Sequence, residues 1–174
     1  FSQTANTEIY VQQNFTAMDF SQHKQFRFLL YNPGPADADT KFFLRIATDD
    51  SNYSEVEIPL DFSGAWHVYS LKMIDTNDDG VPERWESNSK YDASVANEGY
   101  LNYKRISTIK AGVRNENDAS ASGTVWLDDI FLTDSVTTVG RAYMGEAKIA
   151  VDNWLEAGGK VKYMDDKFQT PVSV

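Results

Sequence analysis

Apolar residues in this chain recur at every second position, in short runs that stop at Gly, Pro, Asn or Asp, and this period specifies strands rather than amphipathic helices. Seven runs carry it: 8–11, 25–31, 41–47, 53–59, 66–73, 106–114 and 125–133, with weaker ones at 141–151 and 159–164. Asn32-Pro33-Gly34-Pro35, residues 48–52, Asp61-Phe62-Ser63-Gly64 and residues 115–123 separate them, all rich in turn formers. Short strands at this spacing predict an all-β fold, an antiparallel two-sheet β-sandwich.

The alternation also assigns faces. Phe42, Leu44 and Ile46 share one side of their strand, while Lys41, Phe43 and Arg45 share the other. In 125–132, Trp126, Asp128, Ile130 and Leu132 are expected on one face and Val125, Leu127, Asp129 and Phe131 on the other. Both faces are largely apolar, which predicts a central strand, and each holds a carboxylate that needs a partner.

Charge and composition exclude several function classes. With 174 residues, 41% hydrophobic, the chain suits one compact domain. The balance of 16 Lys plus Arg against 26 Asp plus Glu, a net −10, disfavours nucleic acid and anionic membranes as partners. No cysteine is present, so thiolate metal sites, disulfides and thiol catalysis are excluded. The two histidines, His23 and His67, are far apart in sequence. No run of 18 apolar residues exists, so direct membrane insertion is not expected. The start at Phe1 and the end in Pro171-Val172-Ser173-Val174 suggest a piece of a larger exported protein, secreted or at the cell surface, with flanking domains of the same polypeptide as neighbours.

Residues 75–103 interrupt the strand rhythm with a polar insertion that is long for a loop without a function or a bound ion. Its first twelve residues run from Asp75 through Asn77, Asp79, Gly80, Val81 and Glu83 to Glu86, and match the spacing D-x-[DN]-x-[DN]-G-x5-E. A hard cation takes six to eight oxygens, and alternate side chains of a tight loop converge on one centre. The ligands are expected to be the side chains of Asp75, Asn77, Asp79 and Glu83, the Val81 carbonyl, and Glu86 closing the site. Calcium is the expected cofactor. The preceding run 71–74 is strand-like, so a helix–loop–helix sensor is not expected. With Pro82 and Trp85-Glu86, the loop resembles the DxDxDGxPDxWE calcium loops of secreted bacterial proteins, from which Asn77 and Glu83 are conservative departures.

A wider resemblance covers about residues 8–133. The stretch from Gly123 through Val125, Trp126, Asp128, Asp129 and Ile130 to Leu132, together with Asp19-Phe20-Ser21, Leu44-Arg45-Ile46 and Trp66-His67-Val68-Tyr69, is similar to jelly-roll, galactose-binding-like carbohydrate-binding modules. That resemblance implies a jelly-roll sandwich over 1–133, a C-terminal extension over 134–174, and a weaker second metal site at Asp128 and Asp129. Residues 43–60 and 126–130 also look like repeated sandwich domains of giant secretion or gliding-associated outer-membrane proteins.

Aromatic residues make up 13% of the chain. Sugars present apolar C–H faces, so a glycan site needs exposed rings beside hydrogen-bonding side chains. The candidates are Trp85, Tyr91, Tyr100 and Tyr103 in the insertion, Phe43 and Arg45 on the less apolar strand face, and Arg114 with Asn115 and Asn117. Trp66 and Trp126, inside apolar strands, are expected to pack in the core. No nucleophile elbow, HExxH or phosphate-cradling loop occurs, so no enzyme activity is expected. The leading expectation is a noncatalytic, calcium-stabilised module that binds a polysaccharide or glycan. The alternative is a structural or interaction sandwich of a large cell-surface or outer-membrane secretion assembly without sugar binding.

Overall fold

A computed structural model describes residues 1–77, 81–135, 142–151 and 155–164, and among them every regular element is a strand. In chain order these are β1 (Ser2–Gln3), β2 (Thr7–Met18), β3 (His23–Tyr31), β4 (Asp37–Asp49), β5 (Asn52–Leu60), β6 (Trp66–Ile74), β7 (Arg84–Ser87), β8 (Ser94–Glu98), β9 (Ile106–Asn115), β10 (Ala121–Ser122), β11 (Trp126–Ser135), β12 (Ala142–Val151) and β13 (Leu155–Met164). The chain divides into two compact units, Phe1–Val136 and Thr137–Val174.

The first unit is an antiparallel two-sheet sandwich. One sheet has the order β2-β9-β4-β5-β8 and the other β11-β3-β6-β7. Their facing sides meet in one core. Phe42, Leu44 and Ile46 of β4 and Val56, Ile58 and Leu60 of β5 line one wall, against Phe26, Phe28 and Leu30 of β3 and Tyr69, Leu71 and Met73 of β6. These are the alternate positions that period two singles out. Burying each such side chain contributes roughly 1.5–3 kcal/mol, which makes this layer the main source of stability. In the second unit, β12 and β13 form an antiparallel hairpin running in register from Ala142↔Met164 to Val151↔Leu155.

Three sequence expectations change here. The polar insertion 75–103 contains strands: β7 extends the four-stranded sheet beside β6, and β8 extends the five-stranded sheet beside β5. The segment 125–133 is an edge rather than a central strand, since among the described residues β11 pairs only with β3. Nor does its alternation run unbroken. The register moves from Asp128↔Leu29 to Phe131↔Arg27, three residues against two, and Asp129 adopts a positive φ of 46° at this bulge. The extra residue flips the phase. Trp126 and Asp128 share the solvent face with Phe131 and Thr133, while Leu127 and Leu132 pack against the core. A bulge on an exposed edge also hinders pairing with another chain.

Candidate functional site

The solvent face of the four-stranded sheet carries three rings at one level. Trp126 of β11 lies opposite Tyr31 of β3, which lies opposite Trp66 of β6. The Tyr31 centroid is 5.2 Å from each indole, and the indoles are 6.4 Å apart. Trp66 is 41% and Trp126 52% exposed, so neither packs in the core as expected. Alternation says which residues share a face but not which face is covered. The neighbours that share this face, Asp128 on β11 and Ser70 and Lys72 on β6, are the signal that could have placed the indoles outside.

Further rows follow along the same face: Asp128, Leu29 and Val68; then Phe131, Arg27 and Ser70; then Thr133, Gln25, Lys72 and Glu86. The Arg27 guanidinium lies 5.7 Å from the Phe131 centroid, and its Nε is buried without a hydrogen-bond partner. Ser70 donates to Gln25 Oε1 at 3.0 Å.

Phe43, Arg45 and Arg114 do come together, on the solvent side of the five-stranded sheet. Arg45 Nε donates to Glu55 Oε2 at 2.7 Å, and its guanidinium lies 3.9 Å from the Tyr53 centroid. Arg114 pairs with Glu8 at 3.0 Å, Glu55 at 3.3 Å and Glu57, and covers Phe43 at 5.0 Å. Phe43 and Glu55 are consequently buried. These cations are committed to carboxylates of the same sheet, forming an ion-paired cover over an aromatic ring. Glu55 and Glu57, alternate residues on one face of β5, were the legible signal for those partners. Gly112 permits the layer, because a Cβ there would lie 2.3 Å from the Ile9 carbonyl oxygen and 2.8 Å from Phe43 Cε1.

The remaining sequence-nominated ligand residues are dispersed. Trp85 is 1% exposed and packs 5.3 Å from Phe26, and Tyr103 is fully buried, so neither ring can stack on a ligand at the surface. Both belong to the core because β7 and the segment before β9 close its end. Burial pushes the Tyr103 phenol well above its usual range. Asn115 is also fully buried, donating to the carbonyls of Thr4 at 3.0 Å and Ala119 at 2.8 Å. Tyr91 stacks on His67 at 3.8 Å, while Phe62 covers the other face of the imidazole at 4.0 Å. Burial lowers the pKa of His67. Tyr100 is exposed, and its N–H donates to Asn52 Oδ1 at 2.7 Å.

The loop after β6 is bounded by a short neck. Glu83 N donates to the Ile74 carbonyl at 2.9 Å, and Glu83 Oε2 accepts from Thr76 N at 2.7 Å and Thr76 Oγ1 at 2.6 Å. Glu83 Oε1 is buried with no hydrogen-bond partner. Asp79 lies outside the described residues. Glu86 sits within β7 opposite Lys72 and pairs with Arg84 at 3.0 Å, three positions along the chain from Glu83 at the neck. Among the described residues no cluster of three or more acidic or histidine side chains could hold a metal ion. At the suggested second site, Asp128 Oδ1 accepts from Asp129 N at 2.8 Å, and the cross-strand neighbours of Asp128 are Leu29 and then Val68, which offer no side-chain oxygen.

No family model, curated protein or solved structure matches this chain. Fold and surface define an all-β antiparallel sandwich followed by a two-stranded hairpin.

Proposed function

We propose that this chain is a noncatalytic β-sandwich module of a large bacterial cell-surface or outer-membrane protein, joined to a hairpin of membrane-type β-barrel pattern. The observation that carries this reading is the face pattern of β12 and β13. Tyr143, Gly145 and Ala147 pair with Tyr163, Val161 and Gly159, giving an uncharged face. Ala142, Met144 and Glu146 pair with Met164, Lys162 and Lys160, giving a face with an ion pair at 4.0 Å. Each strand has ten residues, and a barrel strand needs about 9–11 to cross a bilayer, alternating lipid-facing and lumen-facing residues. The Tyr143–Tyr163 pair, 6.2 Å between centroids, suits the aromatic girdle where such strands meet the headgroups. The expectation of no membrane insertion rested on a missing 18-residue apolar run, a criterion that strands never meet. The resemblance of 43–60 and 126–130 to sandwich repeats of outer-membrane secretion proteins supports the same reading.

The chain lacks cysteine, so single-cysteine variants label cleanly. A polarity-sensitive fluorophore at Val161→Cys is expected to shift to the blue when the whole chain meets phospholipid micelles, and one at Lys162→Cys to stay near its aqueous emission. Equal behaviour at the two neighbours overturns the barrel-strand reading.

A second reading, glycan binding by a calcium-braced sandwich, is favoured by the three surface rings on β11, β3 and β6. Asp75, Asn77, Asp79, the Val81 carbonyl and Glu83 would hold the cation. The buried, unpartnered Glu83 Oε1 fits that donor set. Bound calcium would neutralise the loop's carboxylates and brace it.

A further inference from the structure

We infer that the solvent face of the four-stranded sheet is a binding platform for a neutral glycan chain lying along the strands, an inference that rests on the glycan reading and gives it a location and a ligand class. The anchor is the triangle of Tyr31, Trp66 and Trp126, with sides of 5.2, 5.2 and 6.4 Å. Its span is about that of one pyranose ring, and electron-rich ring faces attract the positively polarised C–H groups of a sugar. Both indoles are already about half solvent-exposed, so the surface is formed before any ligand arrives.

The rows beyond the anchor favour a sugar over a protein partner. A stable protein interface buries roughly 800 Å² per partner, with charged residues depleted at its centre. Here the apolar patch gives way within a few residues to Arg27, Ser70, Gln25, Thr133 and Lys72. That mixture of ring contacts and hydrogen-bonding groups suits a ligand whose apolar faces are ring-sized and whose rim is hydroxyl. From Tyr31 to Gln25 the β3 backbone advances about 20 Å at the strand rise, room for a short oligosaccharide. Arg27 holds a second position, where its guanidinium stands 5.7 Å from the Phe131 ring on the same face. The ligand is uncharged because both signs of charge stand on this face, Arg27, Lys72 and Arg84 among Asp128 and Glu86, the last paired with Arg84 at 3.0 Å, which suits neither a polyanion nor a polycation.

The test is affinity electrophoresis of the chain through gels containing a panel of neutral polysaccharides, with the intrinsic tryptophan emission followed in parallel. Retardation by at least one polysaccharide is expected, with a change in tryptophan emission. Trp66→Ala and Trp126→Ala should each weaken retardation at least tenfold, Trp126→Phe should restore most of it, and Arg27→Gln should weaken it several-fold. Thermal melts of all variants establish that they fold. If the unaltered chain is retarded and both tryptophan variants are retarded equally, the platform is wrong while glycan binding stands. If no polysaccharide retards the unaltered chain, the glycan reading itself falls, and the platform with it.

Discussion

At the scale of single residues, environment overrides type. His67 is an imidazole held between the flat faces of Phe62 and Tyr91, at 4.0 and 3.8 Å. Its Nδ1 is buried without a partner, and burial favours the neutral form, lowering its pKa below the ordinary 6.5; the Asp61 charge opposes this shift and Lys90 adds to it. The sign follows from proton counting. Between the folded and unfolded values the unfolded chain binds more protons, so stability is fully present above pH 6.5 and declines as the pH falls towards the folded value. Urea midpoints measured from pH 8 to 5 should fall for the unaltered chain, and the part of the slope that sets in below pH 6.5 should vanish in His67→Gln. An unchanged slope in that variant would show that imidazole burial does not govern it. The same lesson separates Trp85, buried against Phe26, from Trp66 and Trp126, which are exposed. Trp85 stands between Arg84 and Glu86 and Trp126 between Val125 and Leu127, yet the position of the opposing sheet buries the first and leaves the second in water.

At the scale of elements, the polar insertion shows how short strands join two sheets. The Asn97 side chain of β8 accepts from Trp85 N at 2.8 Å and donates to the Trp85 carbonyl at 3.1 Å, completing the backbone of β7 as a neighbouring strand would. It also accepts from Ser54 Oγ at 2.6 Å. Each such bond contributes about 1 kcal/mol net, and together they fasten the edges of the two sheets where β7 and β8 meet. The loop between β6 and β7 is therefore clamped at its base. If it holds calcium, the ion binds only the folded chain and stabilises it by mass action, by about 2.7 kcal/mol at a hundredfold excess over Kd. Millimolar calcium should raise the melting temperature, Asp75→Ala and Glu83→Ala should abolish the rise, and Glu86→Ala should leave it intact, because Glu86 faces Arg84 and Lys72. Equal melting temperatures in calcium and in chelator would remove the metal from this loop. Loss of the response in Glu86→Ala would instead restore the twelve-residue ligand set.

At the scale of the whole molecule, the hydrophobic core among the described residues lies within the first unit, from Phe20 to Val113 with flanking contributions from Phe1 to Leu132. A two-stranded hairpin has little stability of its own in water. The segment 1–136 by itself is therefore expected to unfold cooperatively at the urea midpoint of the complete chain, followed by tryptophan emission, whereas a peptide of 137–174 should show little strand signal by circular dichroism in buffer and gain it in micelles. A markedly lower midpoint for 1–136 would show that the two units stabilise each other. Much of the sandwich was legible in the sequence, because the alternation that buries Phe42, Leu44 and Ile46 is a local property of extended backbone. The site was far less legible. Trp85 and Tyr103 were nominated from a polar segment whose burial depends on β7 and β8, and Phe43 with Arg45 and Arg114 proved to be an ion-paired cover. The Asp129 bulge inverted the faces of β11 beyond it, a shift that no periodic reading contains. By itself the sequence determined strands, their facing residues, and a net charge of −10. Only the tertiary structure decided which face of each sheet meets the other and which remains in water. Period two is symmetric between the two faces of a strand, and the packing of a second sheet breaks that symmetry.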